Sequence, residues 1–596
     1  MTTFDSWVTT LEQAEQLAIE LDEAPYASLD TETTTVPWYH PDFKLLVVAV
    51  TVSDGHSFVI PVDHAEAPEN SVELLSVIFQ NFPARGRNGF WIMQNGTFDL
   101  LVMRRYGVDL TPDVWADTMG IQYLLDVEAK KGLEVLAQRW LGTMPWKNID
   151  YKHPEEEALD VLGELCATDA DITFRLYPPM DTALEQNSAL DTLYWELLAP
   201  AMRVLADMEW EGVPIMEGRL NDLADETNAQ VEDLLDQVRT MADEPELNPN
   251  SVIQLRKILY GKLGLPVLGF TAKGAPSTNA ATLQKLEKLH AIIPVIQDLR
   301  AQRKLLTASL LPWLDQAGYD GSLHPRYKPA FVKTGRLSSE MPNIQQVPRD
   351  TDVRSIFGGV EGYQVVELDY SQLELRIVAW LAGEDRMLEA FYKNEDLHQV
   401  TANALGVDRY TGKTANFGLL YGAGYRKLKE IAALEHGLDL TEAQAEAIRT
   451  QWFATYPAIS AFHKRTILEA RTSGGITTVL GRWRPLPDIH SKEWNLKGGS
   501  ERQAVNSPIQ SVASDITLFK LTKLPAILEK AGSKARPFIT VHDSILLLVP
   551  DDEPGIANMV QRYMEDTDDL EETFGITIGV PLKVDVKVGP TWGETA

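Results

Sequence analysis

The chain has 596 residues, 54 basic and 86 acidic, for a net charge of −32. Its length implies several domains, about four as a prior. At 44% hydrophobic and 23% charged residues, its composition is that of an ordinary globular protein. A single cysteine, Cys166, excludes an intrachain disulfide or a cysteine-cluster zinc site and suits a reducing cytosol. Met1 to Glu20 has neither a basic start nor an apolar core, so it reads as no secretory signal. Apolar runs such as Leu45 to Val50 are too short for a bilayer, and no membrane partner is expected. Acidity alone argues against nucleic acid, but local clustering decides. Between His324 and Arg349, Arg326, Lys328, Lys333, Arg336 and Arg349 stand against one acid, Glu340. Arg409, Lys413, Arg426, Lys427 and Lys429 form a second basic stretch. An acidic exterior with a basic cleft is compatible with a DNA enzyme.

In chain order, residues 1 to about 190 alternate strands and helices. Tyr26 to Thr33 reads as a strand, Leu45 to Val52 as another, Val72 to Phe79 as a helix, and Phe90 to Gln94 as strand-like. Leu133 to Leu141 and Glu155 to Leu176 have helical spacing, as does Leu190 to Met208, a plausible domain joint. Leu247 to Leu263 carries the start signal Asn-Pro-Asn-Ser just after its first residue. Gly264 to Asn279 reads as an exposed loop, and Ala280 to Leu311 as helix. Gln364 to Asp369 suits a strand; Pro537 to Val549 suits two short strands around a His542-Asp543 turn; Thr577 to Val588 suits strands.

Three constellations carry chemistry. Asp369, in Asp-Tyr-Ser-Gln-Leu-Glu-Leu-Arg, and Asp543, in His-Asp-Ser, both end β-branched apolar runs. Two carboxylates so placed can hold two divalent cations for attack on a phosphate. A lone strand-end Asp is more often a turn or cap; the pair of motifs outweighs that reading. Arg409, Lys413, Phe417 and Tyr421 recur every four residues, one slowly drifting helix face. Cations for phosphates followed by rings for sugar and base suit a nucleoside triphosphate, where the bland alternative is a solvated basic face ahead of a core aromatic stripe. Asp30 and Glu32, two apart on a strand, share one face, with Asp99 in Asn-Gly-Thr-Phe-Asp and Asp169 on a later helix.

These strings resemble the DNA polymerase I-like, or family A, DNA polymerases. Thr334 to Ser339 with Pro342 to Gln345 looks like the family's primer–template minor-groove motif. Asp396-Leu397-His398 resembles its phosphate-binding histidine site. Glu501 to Gln510, with Arg502, Asn506 and Gln510 four apart, resembles the palm helix that holds the template. Gly481 to Asp488 matches the family's Gly-Arg-Arg loop and Leu-Pro-Asp turn only in part. The resemblance, over roughly residues 200 to 596, implies a right hand of palm, fingers and thumb. It makes Asp369 and Asp543 ligands of two magnesium ions, for which manganese can substitute. Lys413, Arg409 and His398 would bind the triphosphate, joined in the nucleotide site by Phe417, Tyr421 and Gln372. Glu374 would crowd a 2′-hydroxyl, and Arg336, Asn343, Gln345, Arg502, Asn506, Gln510 and His542 would contact DNA. Ser544 stands where most members have a third carboxylate, Glu. Upstream, Asp30, Glu32, Asp99 and Asp169 resemble a four-carboxylate 3′–5′ exonuclease holding two metals, and Asp117-Thr118-Met119 fits the same domain. Leu165 occupies the position of that family's water-orienting tyrosine, and Glu164 that of the related histidine.

The expected fold is α/β and α+β multidomain. A ribonuclease H-like exonuclease domain (1–190) precedes a polymerase domain (191–596), with thumb about 200–320, palm about 321–395 and 500–596, and fingers about 396–499. Only 29 residues precede Asp30, leaving no room for a 5′-nuclease domain ahead of it. The expected partners are primer–template DNA, dNTPs and a single-stranded 3′ end, for a monomer in the bacterial cytoplasm. The resemblance extends equally to phage replicative enzymes and to the Klenow part of the bacterial enzyme, with a lean to phage. Two other classes are a single-subunit RNA polymerase, opposed by Glu374, and a degenerate DNA-binding protein, opposed by the retained aspartates.

Overall fold

The computed structural model describes residues 6–69, 71–79, 90–112, 115–147, 152–436, 438 and 440–595. The chain forms two compact units. One comprises residues 1–211, 326–345 and 365–588; the other comprises 212–325, 346–364 and 589–596. Among the described residues no helix is long and apolar enough to cross a membrane.

In the first unit the N-terminal elements are β1 (Ser6–Trp7), α1 (Leu11–Glu23), β2 (Tyr26–Thr33), β3 (Leu45–Ser53), β4 (His56–Pro61), α2 (Ser71–Phe79), β5 (Phe90–Met93), α3 (Thr97–Arg105), β6 (Trp115–Asp117), α4 (Thr118–Leu125), α5 (Leu133–Leu141) and α6 (Leu159–Glu185). The six strands form one sheet in the order β1-β4-β3-β2-β5-β6. β2 pairs antiparallel with β3 and parallel with β5, and β6 continues the parallel side. β3 is a continuous Leu-Leu-Val-Val-Ala-Val run buried on both faces, as a central strand requires. Leu162, Cys166, Ala167 and Ala170 of α6 pack on Leu46, Val47, Ala49 and Val59 of the sheet. That packing lays α6 across β2, beside the strand that carries Asp30 and Glu32.

The same unit holds a four-stranded sheet. The hairpin Arg536–Val541 and Ser544–Pro550 lies beside Tyr363–Tyr370, with Val584–Gly589 on the far edge. The hairpin pairs Val541 with Ser544, leaving His542 and Asp543 as its two-residue turn. His542 has φ 56°, the left-handed conformation that such a turn demands. The long helix Trp494–Lys530 and the helix Arg409–Leu420 belong to this unit too. The tail expectation is corrected: only Val584–Gly589 of it is strand.

The second unit is mainly helical. Glu217–Ala242 packs against Ile292–Leu305 through Leu220, Val231, Leu235 and Val238 on one side and Ile292, Ile293, Ile296 and Leu299 on the other. Two sequence expectations shift here. The helix expected from Leu247 starts at Val252, because Ser251 caps it by accepting from the Gln254 amide. Ala280 to Leu311 is broken at His290, whose Nδ1 accepts from the Ile292 amide where the next helix starts. The 264–279 loop is also less exposed than its composition suggested. Ser277 and Thr278 are buried, and the Thr278 carbonyl accepts from Arg300 Nη1 at 2.6 Å.

Candidate active sites

The first site forms where β2, α3 and α6 meet. Strand alternation turns Leu29 and Thr31 into the interior and leaves Asp30 and Glu32 half-buried together on the other face. α6 delivers Asp169 to that face. Ligand atoms of Asp30, Glu32 and Asp169 all lie within 4.8 Å of one another. Cys166, one turn before Ala170, touches Asp30 through its thiol, 3.3 Å from the carbonyl and 3.5 Å from Oδ2. Asp99, in the first turn of α3, accepts from the Thr31 hydroxyl at 2.6 Å. Asp117 is a builder rather than a ligand. Its carboxylate caps α4 through the Gly120 amide and holds the Gly96 amide, each at 2.7 Å, which fixes the turn leading to Asp99. Leu165, one turn before Asp169, is buried and apolar.

The electrostatics of this cluster are those of crowded, dehydrated carboxylates. Burial first, then the neighbouring Asp169 charge, pushes Glu32 up to about 8; burial pushes Asp99 up to about 7. Asp30 is raised well above the usual carboxylate range by burial and by Asp169, Asp99 and Glu32. Crowding and burial hold these carboxyls toward their neutral form, and a divalent cation bound among them would favour the ionised form. The residues therefore fit a hard cation with oxygen ligands.

The second site sits on the four-stranded sheet. Asp369 ends the Tyr363–Tyr370 strand, and the next amide, of Tyr370, donates to the Asp543 carbonyl at 3.2 Å. The two aspartates, far apart in sequence, thus lie side by side. Burial, then the charges of Asp543, Glu367 and Asp585, pushes Asp369 up to about 7, opposed by Lys587. This is the same chemical signature as in the first site. Gln345 holds the hairpin turn at both ends: its amide nitrogen donates to the Thr540 carbonyl, and its oxygen accepts from the His542 amide at 3.2 Å. A residue expected to touch DNA thus also buttresses the turn that presents Asp543. Arg336, Glu374, Gln510, His542 and Asp543 line one small pocket. Within it Arg336 is ion-paired to Glu374. Arg482, by contrast, is no surface cation. It is buried against Asp515 at 2.6 Å, beneath the ring of Tyr123.

The repeating face Arg409, Lys413, Phe417, Tyr421 is borne by the helix Arg409–Leu420, capped by Asp408, with Tyr421 as its C-cap. All four are exposed or half-buried, while Thr411, Gly412, Thr414, Ala415 and Asn416 are buried. Phe417 and Tyr421 are therefore not part of a core aromatic stripe. Gly412 is required because a Cβ there would stand 2.6 Å from the His398 carbonyl of the neighbouring helix Leu397–Leu405. Arg409 Nε is bound to Asp396 at 2.6 Å. His398 lies inside, Nδ1 to Asn416 at 3.1 Å, and burial lowers it to about 4. The ring props the helix through that contact with Asn416. Part of the basic cluster at 324–349 is paired with acids: Lys328 and Arg326 share Glu340, and Lys333 pairs with Glu128. Three polar atoms near these motifs, Gln372 Oε1, Asn506 Oδ1 and Ser544 Oγ, are buried without a partner. Asn343 lies near Ser339, its Oδ1 3.3 Å from the hydroxyl. Arg502 lines a separate cavity of about 850 Å³ with Lys464, Arg471 and Trp494.

A family model described as DNA polymerase family A matches residues 217–594, well over half of the chain. The chain belongs to DNA polymerase family A. A second model, 3′–5′ exonuclease, matches residues 6–185. The family A chain is 32% identical to DNA polymerase I of Pseudomonas aeruginosa, over 99% of this chain and 65% of that protein. It is 34% identical to the thermostable DNA polymerase I of Thermus thermophilus, over 83% of this chain and 57% of that one. It thus spans about three fifths of the length of these relatives. Its fold is that of the POL domain of Pol1 from M. smegmatis, solved with DNA primer-template and dNTP. The TM-score is 0.83 at 24% identity, covering 99% of this chain and 100% of that one. The architecture is therefore an exonuclease domain joined to palm, fingers and thumb.

Sequence reading of this family A chain missed several groups at the sites. Thr31 and Cys166 lay beside the expected ligands but carried no motif. Trp146 and Lys147, which bond to Asp169, come from a stretch with no periodicity and gave no signal.

Proposed function

We propose that this protein is a template-directed DNA polymerase that transfers nucleotides from dNTPs to a primer 3′-hydroxyl, with a 3′–5′ exonuclease in its N-terminal domain. The observation that carries the reading is the juxtaposition of Asp369, on a strand, and Asp543, in the adjoining hairpin turn, with the Asp369 carboxyl driven upward by burial and then by its acidic neighbours. Asp369 and Asp543 would hold two magnesium ions; manganese can replace them. When bound, such ions ionise the attacking hydroxyl and neutralise charge on the leaving group. The chain's own residues do the rest. Lys413 and Arg409 meet the triphosphate by charge, Arg409 exchanging its Asp396 partner for a phosphate. Phe417 and Tyr421 offer ring faces to the sugar and the templating position. Glu374, held by Arg336, fills space beside the sugar 2′ carbon and excludes a hydroxyl there. Gln372 Oε1 and Asn506 Oδ1, buried without partners, are acceptors that bound substrate can satisfy. In the exonuclease Asp30, Glu32, Asp99 and Asp169 would hold the metals that ionise a water for attack on the terminal phosphodiester.

The M. smegmatis structure, described with primer-template and dNTP, supports the same ligand classes here. We take 1–190 and 191–596 as the functional domains and a cytoplasmic monomer, of phage or bacterial replication, as the working form. Primer extension on a defined template, with dNTPs or rNTPs and with or without magnesium, tests the reading. Magnesium-dependent, template-matched dNTP addition is expected. Preferential rNTP addition would make it an RNA polymerase, and template binding without extension a degenerate DNA-binding protein.

A further inference from the structure

Asp169 is held by two adjacent residues that belong to none of the recognised motifs. Trp146 Nε1 donates to Oδ1 at 2.7 Å, and the Lys147 ammonium pairs with Oδ2. The backbone amides of the same two residues donate to Glu134 Oε1, at 3.3 and 3.2 Å. Glu134 lies in the first turn of α5, and α5 packs on α6. The dipeptide is thus tied at both ends, its backbone to α5 and its side chains to the carboxylate that α6 delivers. Asp169 is 4% exposed in its side chain and Lys147 26% exposed, so the lysine stem leads outward from a closed site.

This arrangement puts a positive charge on one oxygen of Asp169, a member of the Asp30, Glu32, Asp169 cluster, near enough to act on Asp30 and Glu32 as well. A metal and an ammonium on one oxygen repel each other strongly at such short range. The two donors have different capacities to yield. Lysine is a compact charge on a flexible stem and can swing to solvent. The indole is rigid and its N–H is a neutral donor, so it can keep its bond while Oδ2 takes a metal. Donors of this kind beyond the ligands orient a carboxylate and tune the metal it holds.

We propose that Trp146 and Lys147 form a clamp on Asp169, in which Trp146 is a positioning residue that fixes the carboxylate and Lys147 is a built-in cation that the metal must displace from Oδ2. The inference rests on reading the four carboxylates as the exonuclease metal site. The clamp offsets part of the charge of the resting site, and it sets the metal concentration at which digestion begins. It also places two nitrogen donors at Asp169, where Leu165 supplies none.

The test is Mn²⁺ binding by the full chain, followed by electron paramagnetic resonance of the free ion, with Asp369→Asn and Asp543→Asn present so that the polymerase site is silent. Lys147→Met is expected to bind Mn²⁺ more tightly, on the order of tenfold, and to lower the Mn²⁺ needed for half-maximal digestion of a single-stranded 3′ end to the same extent. Lys147→Arg keeps the charge and should stay near the parent. Trp146→Phe should weaken binding by on the order of tenfold. Should Lys147→Met fail to fold, Lys147→Gln reads the same quantity. Unchanged or weaker Mn²⁺ binding on removing the charge overturns the clamp. Asp30→Ala isolates the underlying reading: if it leaves Mn²⁺ binding intact, the carboxylates are not the metal site, and that failure is distinct from failure of the clamp.

Discussion

The two carboxylate sites solve one problem, the close approach of like charges, in different ways. In the N-terminal domain Asp30, Glu32 and Asp169 converge from a strand and a helix, and the protein closes the gap with its own cation, Lys147. On the four-stranded sheet Asp369 and Asp543 come from a strand end and a hairpin turn, and the nearest compensation is indirect. Lys587 offsets Asp369, while Arg336 is committed to Glu374. The first site carries a cation on one of its own carboxylates, whereas near the second Gln372 Oε1 and Asn506 Oδ1 are buried without partners.

Disabling each site separately tests the comparison most severely. Asp543→Ala should reduce primer extension by at least about 10³-fold while digestion persists, and Asp30→Ala should do the reverse. Loss of both activities in either variant would mean the sites are not independent, and gel assays of the two reactions on one preparation decide it. The next effect concerns the shared body. Arg482 is buried against Asp515 beneath the ring of Tyr123 in α4. Arg482→Met leaves a buried uncompensated carboxylate and should cost about 3–5 kcal/mol. Chemical denaturation should show this as a lower midpoint. A midpoint equal to the parent's would mean that Asp515 finds another partner.

Glu374→Ala sharpens the second site. Removing the side chain should raise rNTP relative to dNTP incorporation by roughly 10²-fold, the scale on which a pocket distinguishes a hydroxyl. The ratio of the two single-nucleotide rates measures it, and an unchanged ratio removes Glu374 from the sugar. The smallest expected change is Leu165→Tyr, which adds a hydroxyl one turn before Asp169. Digestion should quicken by roughly tenfold. A variant no faster than the parent would indicate that the Trp146 and Lys147 donors already orient what the hydroxyl would.

The strands bearing Asp30 and Asp369, the His542–Asp543 hairpin, and the solvent-facing helix from Arg409 were legible in the chain. Each rests on a local rule: alternation, a turn between β-branched runs, a four-residue recurrence. Local rules did less well where neighbours decide. The tail from Thr577 yielded one strand because only Val584–Gly589 has a partner in the sheet. The Ala280–Leu311 helix breaks where His290 caps the next one. The basic stretch from His324 to Arg349 reads from sequence as a run of free cations, yet four of them have acidic partners, Glu340 shared by two, Glu128 and Glu374, and two of those acids are far away along the chain.

What the amino-acid sequence determined by itself is the family, the two sets of carboxylates and the elements that carry them, because those depend on short-range spacing and backbone preference. Tertiary structure alone decided their electrical state. Whether Asp369 resists ionisation, whether His398 is charged, and which side chain answers Asp169 depend on burial and on groups brought together through space. A nonperiodic loop can place Trp146 and Lys147 on a carboxylate more than twenty residues away only once α5 and α6 have packed.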